Sequence, residues 1–146
     1  MQQLTEDKLN KIEALLEKER TSWSKNIQNL IVCIKDADKL SDSQVDMLSY
    51  RHMITDKIIE FNIMLGKKRA NDSNFTKTRY QHYKTNHSVR LDHREIMEYI
   101  KSDMSLRTRE TSLIDNQINF YKQAIETLDK MGFAIKNKII LATNDI

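Results

Sequence analysis

The stretch Gly66–Arg94, GKKRANDSNFTKTRYQHYKTNHSVRLDHR, separates two strongly patterned helical regions and itself shows no sustained apolar repeat. It holds eight basic and two acidic residues, a net charge of +6, whereas the whole chain has a formal net charge of +3. Aromatic and histidine side chains lie among these cations, namely Phe75, Tyr80, Tyr83, His82, His87 and His93. Cations contact phosphates and flat rings stack on exposed bases, so this composition is typical of a surface that binds single-stranded nucleic acid. The alternative is a solvated linker whose lysines have no specific ligand.

The composition predicts an all-α protein. The chain has 146 residues, two glycines and no proline, whereas a fold rich in strands and turns would usually need more of both. This length corresponds to one domain, or to one domain with an oligomerisation element. No apolar run is long enough for a membrane span and the N-terminal residues are polar, so we expect neither a span nor a signal peptide. Cys33 is the single cysteine, which excludes an internal disulfide and favours a reducing, cytoplasmic compartment.

Residues 1–65 are predicted to form a long helical hairpin. Thr5, followed by two acidic residues, is a suitable N-cap for a first helix that continues to about Lys35. The apolar pattern thins near Thr21–Ser22, which leaves a kink or a break open at that point. Ser41 with Gln44 three residues later has the pattern of a capping box, which predicts the start of a second helix. Gly66 ends the apolar pattern and is a C-cap candidate.

Two lines of residues recur along the second predicted helix and give it a broad apolar face. The first line is Val45, Leu48, His52, Thr55, Ile59 and Ile63, and the second is Met47, Ile54, Ile58, Phe61 and Leu65. His52 is expected at the edge of the core, bonded to a neighbour. Residues 66–91 are predicted to be a basic irregular segment, with a loop from Ala70 to Val89.

Residues 92–146 are predicted to form a short helix and a long C-terminal oligomerisation helix. Asp92 with Glu95 is a second capping-box pattern, which opens the short helix. In the long helix the apolar positions alternate in steps of four and three, at Ile114, Ile118, Tyr121, Ile125, Leu128, Gly132, Ile135 and Ile139. This heptad seam favours self-association into a ring or bundle, because we expect the hairpin to close most of its own core. The alternative is that this helix packs on the hairpin of the same chain and that the protein is a monomer.

The sequence gives no support for an enzyme. It has no glycine-rich phosphate loop, and Cys33 lies in an apolar run rather than beside a catalytic base. His82, His87 and His93 have poor spacing for a metal site and no accompanying cysteine. We therefore expect a non-enzymatic binding protein without a metal or another cofactor.

The block Phe120–Ile139, FYKQAIETLDKMGFAIKNKI, resembles the C-terminal end of the UvsY recombination mediators of T-even-like phages. Its most specific part is Gly132–Lys136. Further similarity to the middle of that family lies at Phe75, Arg79–Tyr80 and Asp103–Leu106. The likeness covers most of the chain from about Thr21 and is strongest at the C-terminus.

The resemblance implies a small helical protein that assembles through its C-terminal region into a hexamer- or heptamer-like homo-oligomer. It implies binding to single-stranded DNA, and help in loading a RecA-like recombinase onto DNA coated by a single-strand-binding protein, in the host cell cytoplasm. The basic block that the family uses for DNA binding matches Lys57–Phe61, where Lys57 is the one basic residue. In this chain we therefore expect the DNA-binding cations to follow Gly66 instead. The predicted DNA-binding residues are Lys57, Lys67, Lys68, Arg69, Lys77, Arg79, Tyr80, Lys84 and Arg90. The alternative function is a helical adaptor or scaffold oligomer that binds an acidic protein partner.

Overall fold

The structure is a computed structural model and describes residues 3–86 and 90–144. Within these residues the protein is all-helical. Its elements are α1 (Glu6–Cys33), a short 3-10 helix (Ala37–Lys39), α2 (Leu40–Asn86), α3 (His93–Asp103) and α4 (Ser105–Asn144). None of the helices in this part of the chain is both long enough and apolar enough to cross a membrane.

Side-chain caps fix the starts of two helices where the sequence predicts them. The Thr5 hydroxyl accepts a hydrogen bond from the Lys8 backbone N–H at 3.2 Å, which begins α1. The Asp92–Glu95 capping box is confirmed, because each side chain accepts a hydrogen bond from the backbone N–H of the other residue. The second helix begins within one residue of the predicted Ser41, at Leu40, but Ser41 is not its N-cap, since α2 follows directly from the 3-10 helix and Ser41 is its second residue. α1 also continues without interruption through Thr21 and Ser22.

The predicted end of the second helix at Gly66 is wrong, and so is the irregular segment as far as Asn86. α2 runs through Gly66 for 47 residues, and neither glycine has a positive φ. The inward period of three and four residues also continues past Gly66, at Lys68, Asp72, Phe75, Arg79 and Tyr83. The helix persists because these polar and aromatic side chains still have partners on α3 and α4. The end of the predicted loop, residues 87–89, lies outside the described residues.

α1, α2 and the greater part of α4 form a three-helix bundle. Trp23 meets Tyr50 edge to face with ring centroids 5.6 Å apart, in the antiparallel pairing of α1 with α2. α2 also runs antiparallel to α4, with Phe61 against Tyr121 at 5.8 Å. α2 makes its most extensive contacts with α4 rather than with α1. Its last turns extend to α3, which packs against them.

The core of the bundle needs all three helices. Buried aliphatic and aromatic side chains from α1 and α2 surround the buried residues of α4, among which Tyr121, Leu128 and Ile135 are fully inaccessible. Gln117 is a buried polar residue in this core. Its carboxamide accepts from the Arg20 guanidinium at 2.8 Å, and its Nε2 donates to the Leu16 carbonyl and the Tyr121 hydroxyl. The buried amide is therefore satisfied, as low-dielectric surroundings require.

The heptad seam of α4 is largely occupied within the chain. Five of its eight residues are buried in the bundle, namely Ile114, Ile118, Tyr121, Leu128 and Ile135, while Ile125 and Ile139 are partly buried against it. A Cβ placed on Gly132 would lie 3.0 Å from Met47 Cε, so this glycine accommodates α2 of the same chain. The hairpin does not close its own core, and α4 completes it. Self-association stays a prediction, and these buried side chains would not be its contact surface.

Candidate nucleic-acid interface

The basic stretch of the sequence forms the last turns of α2, residues 66–86, which we call the α2 extension. Its side chains divide between two faces. The inward face packs against α3 and the beginning of α4. The outward face is exposed to solvent. The division decides which predicted cations are available to a ligand.

Three of the predicted DNA-binding cations are paired with acidic residues of the same chain. Lys68 Nζ lies 2.9 Å from a Glu110 carboxylate oxygen, and the Arg69 guanidinium lies 3.5 Å from Asp115. Arg79 Nε donates to Asp103 Oδ2 at 3.0 Å. The Lys68 and Arg79 side chains are about one-third exposed, so these two pairs are partly shielded from water. Their charges tie the α2 extension to α3 and α4.

Asp103 is the centre of this attachment. It accepts hydrogen bonds from the Tyr83 hydroxyl at 2.6 Å and from Arg79 at 3.0 Å. Burial alone would raise the pKa of Asp103, but these hydrogen bonds outweigh burial and hold its pKa below the ordinary value. The hydrogen bonds with Tyr83 and Asp103 in turn raise the pKa of Arg79. Both groups are therefore charged at neutral pH, and the end of α3 is fixed to α2.

The aromatic residues of the stretch have structural partners. The Tyr80 hydroxyl is 3.0 Å from His93 Nδ1, which connects α2 to the first turn of α3. Tyr83 stacks on Tyr99 with centroids 5.2 Å apart. The Arg107 guanidinium lies 4.1 Å above the centre of the Phe75 ring. The half-buried Phe75, Tyr80 and Tyr83 thus pack between helices, and the structure does not present their rings as a row for stacked bases.

The remaining cations of the α2 extension point outward. Lys67, Lys77 and Lys84 are exposed, and none of them has an ion-pair partner within the described residues. At 1.5 Å per residue, Lys77 lies about 15 Å from Lys67 and about 10 Å from Lys84 along the helix axis. Arg90, between α2 and α3, is also exposed. These four residues are the predicted site residues that remain available to an anion.

Two cations of α3 join this surface, and the predicted site residues did not include them. Arg94 and Lys101 are exposed on α3, seven residues apart and therefore on one side of that helix. They line a cleft of about 550 Å³ together with Thr76 of the α2 extension and the side chain of Met97. Their positions beside α2 depend on how α3 docks. The sequence signal that could have found them is the seven-residue spacing of two cations in the short helix.

Lys57 lies apart from this surface. Its ammonium group is 3.5 Å from Glu60 of the same helix and 3.9 Å from Glu19 of α1, so it belongs to the α1–α2 contact. Two turns and more of helix separate it from Lys67. The described residues contain no group of three or more His, Cys, Asp or Glu side chains placed to hold a metal ion.

We call the six outward cations the cationic surface: Lys67, Lys77, Lys84, Arg90, Arg94 and Lys101. It is made of exposed side chains on α2, on α3 and on the segment between them, without an enclosed pocket for one small molecule. Such a surface can bind an extended anion through several weak, salt-sensitive contacts. Comparisons with protein-family models, with curated protein sequences and with solved structures found no match to this chain.

Proposed function

We propose that the protein is a single-stranded DNA-binding recombination mediator that helps to load a RecA-like recombinase onto DNA coated by a single-strand-binding protein. The observation that supports DNA binding is the cationic surface. Its cations are exposed and without ion-pair partners in the described residues, whereas Lys68, Arg69 and Arg79 beside them are paired with acidic residues of the same chain. The recombination role rests on the resemblance of the C-terminal block to the UvsY mediators.

The binding mode follows from the chemistry of this surface. Lysine and arginine side chains on a convex helical surface contact phosphates, and these contacts carry no direct sequence information. The aromatic rings that could stack on bases are held between helices, so we expect phosphate contacts to supply most of the affinity. A phosphate-dominated interaction weakens steeply with salt, because each neutralised phosphate releases counterions. The protein requires no nucleotide hydrolysis for this role.

The experiment replaces the lysines Lys77, Lys84 and Lys101 by alanine in one variant and measures oligo-dT binding by fluorescence anisotropy at several salt concentrations. For single strands, each lost phosphate contact makes the fall of log K with log salt less steep by about 0.7. The loss of three contacts should therefore reduce the magnitude of this slope by about 2. A wild-type protein whose oligo-dT affinity does not fall with salt would contradict the proposal.

A matched control is available on α1. Lys11, Lys18 and Lys25 are exposed, seven residues apart, and unpaired within the described residues, so their replacement removes the same charge from another surface. We expect this control to keep most of the wild-type slope. An equal decrease in both variants would mean that DNA contacts are spread over the whole protein, and the cationic surface would lose its assigned role.

Self-association is part of the proposed mechanism. A hexamer- or heptamer-like assembly would display several cationic surfaces, and each contact after the first would be intramolecular. A strand held along several subunits would be withdrawn from the single-strand-binding protein and offered to the recombinase. The functional test is a strand-exchange reaction with recombinase and single-strand-binding protein. The wild type should shorten its lag, and the Lys77/Lys84/Lys101 variant should not.

The alternative function is a helical adaptor that binds an acidic protein partner. The same exposed cations favour it, because an acidic protein surface would contact them as phosphates do. A gel-shift comparison of oligo-dT with a duplex of equal charge separates the two functions. Preferential binding of the single strand supports the mediator, and absence of binding to both supports the adaptor.

A further inference from the structure

The first apolar line of α2 is exposed except at Thr55, which is half-buried. Val45 is 66% exposed, Leu48 56%, Ile59 54% and Ile63 56%, whereas the second line is buried, apart from the partly buried Ile58. His52, expected at the edge of the core, lies in the exposed line with a side chain that is 79% accessible. We call this line the outer stripe of α2: Val45, Leu48, His52, Thr55, Ile59 and Ile63. It covers 18 helical steps, about 27 Å.

An exposed apolar line of this length marks an interaction surface more often than a solvated one. Its period of three and four residues is that of a helix seam, so the matching partner is another helix. Phe133 of α4 widens the surface, because it is 70% exposed and lines a shallow cleft together with Leu48.

We propose that the outer stripe binds the outer stripe of a second copy of this chain in an antiparallel arrangement. The two-fold axis crosses α2 on its outward side, at the level of Ile54. In this register Val45 lies opposite Ile63 of the second copy, and Leu48 lies opposite its Ile59. All these pairs are centred on the same point of the helix, between Met53 and Thr55. An isologous contact of this kind requires a self-complementary sequence, and the outer stripe meets that requirement.

Charge complementarity supports the same register. At the centre, His52 and Asp56, whose Nε2 and Oδ2 atoms lie 3.5 Å apart within one chain, come opposite the same two residues of the second copy. Further out, Asp42 lies opposite Lys67, and both occupy the same flank of the seam. In an antiparallel helix pair the same flanks of the two helices meet, so the dimer contains two Asp42–Lys67 pairs. Neither residue has an ion-pair partner among the described residues of its own chain.

This proposal does not depend on DNA binding. The dimer uses the outward face of α2 before Gly66 together with Lys67, and Lys77, Lys84 and Lys101 lie beyond it. Lys67 belongs to both surfaces, so loss of the dimer is measured with Ile59→Glu and loss of DNA binding with the Lys77/Lys84/Lys101 variant. The α4 seam is also not involved.

The first test is the mass in solution, by sedimentation velocity over a concentration series. We expect wild-type protein to reach at least twice the chain mass of 17.3 kDa, because an isologous contact pairs the subunits and a hexamer would then consist of three such dimers. Ile59→Glu should raise the dissociation constant by about tenfold or more, because it places carboxylates in the apolar seam. Leu15→Glu on α1, at a site that is 67% exposed, is the matched control and should dimerise normally. Circular dichroism checks that both variants keep their helices.

The second test fixes the register with charge reversal. Asp42→Lys places two cations opposite each other, and Lys67→Asp places two carboxylates opposite each other, so each variant alone should dimerise about tenfold more weakly. An equimolar mixture of the two should recover wild-type dimerisation, because the heterodimer restores both ion pairs. A parallel dimer would not recover, since these positions would lie far apart. A monomeric wild type, normal dimerisation of Ile59→Glu or a mixture without recovery would each overturn the proposal.

Discussion

Replacing Gly66 by alanine should stabilise the protein. Gly66 lies within α2 without a positive φ, and a Cβ at this position would meet no atom within 4 Å. Alanine therefore gains the helix propensity that glycine lacks, about 1 kcal/mol in the free energy of unfolding. For a chain of this size the gain corresponds to a rise in Tm of about 2–4 °C. The measurement is thermal and urea unfolding at one protein concentration, followed by circular dichroism and by Trp23 fluorescence.

The sign of this effect distinguishes the continuous helix from the C-cap predicted by the sequence. A glycine at a helix C-cap usually has a left-handed conformation, in which alanine costs about 1 kcal/mol. A decrease in stability would therefore refute the continuity of α2. Gly132→Ala is the internal comparison, because its Cβ would lie 3.0 Å from Met47 Cε. Its gain should be smaller, since Met47 has to move. Equal gains would mean that α2 and α4 are further apart than the structure has them.

Two further substitutions test the attachment of α3 and the core. Asp103→Asn should cost about 1–2 kcal/mol at neutral pH, because it weakens the hydrogen bonds from Tyr83 and Arg79. The folded-state pKa of Asp103 is lowered, so its contribution is present above about pH 4 and is lost as the pH falls through the folded-state value. Urea unfolding of variant and wild type should therefore converge in acid, and a difference that persists there would contradict the charge-based explanation. Leu128→Ala should cost about 2–5 kcal/mol, because Leu128 is fully buried. Leu141→Ala, at a site that is 63% exposed, is its control, and similar losses in both would contradict the assigned core.

Helical class and two helix caps could be predicted from the sequence because both are local properties. Thr5 and the Asp92–Glu95 pair act within one turn of their own helix. The end of α2 could not be predicted in this way. Gly66 interrupts the aliphatic residues, but the inward period continues through residues such as Phe75 and Tyr83. A pattern of apolar residues alone does not show this period, because polar side chains also occupy the inward positions after Gly66. Their partners lie on α3 and α4, far along the chain.

Whether a cation is free to bind a ligand also depends on tertiary packing, because its ion-pair partner can lie far along the chain. Lys67 and Lys68 are adjacent in sequence, yet Lys68 is paired with Glu110 of α4 and Lys67 is exposed. Both residues were predicted as DNA contacts alike, because the position of Glu110 depends on the packing of α4 against α2. Two lines of similar composition on α2 were ambiguous as well. Only the packing decides that Ile54 is buried and Ile59 is exposed.

The length of α2 connects the two proposed surfaces. Its outward face is apolar from Val45 to Ile63 and cationic from Lys67 to Lys84, so the dimer contact and the cationic surface follow each other along one helix. In the two-fold dimer the α2 extensions point away from each other. Lys77 lies 23 residues from the axis beside Ile54, about 35 Å along the helix, which separates the two cationic surfaces by about 70 Å. A short oligonucleotide would occupy one surface, whereas a strand long enough to span both would bind more tightly through the effective concentration of the second site.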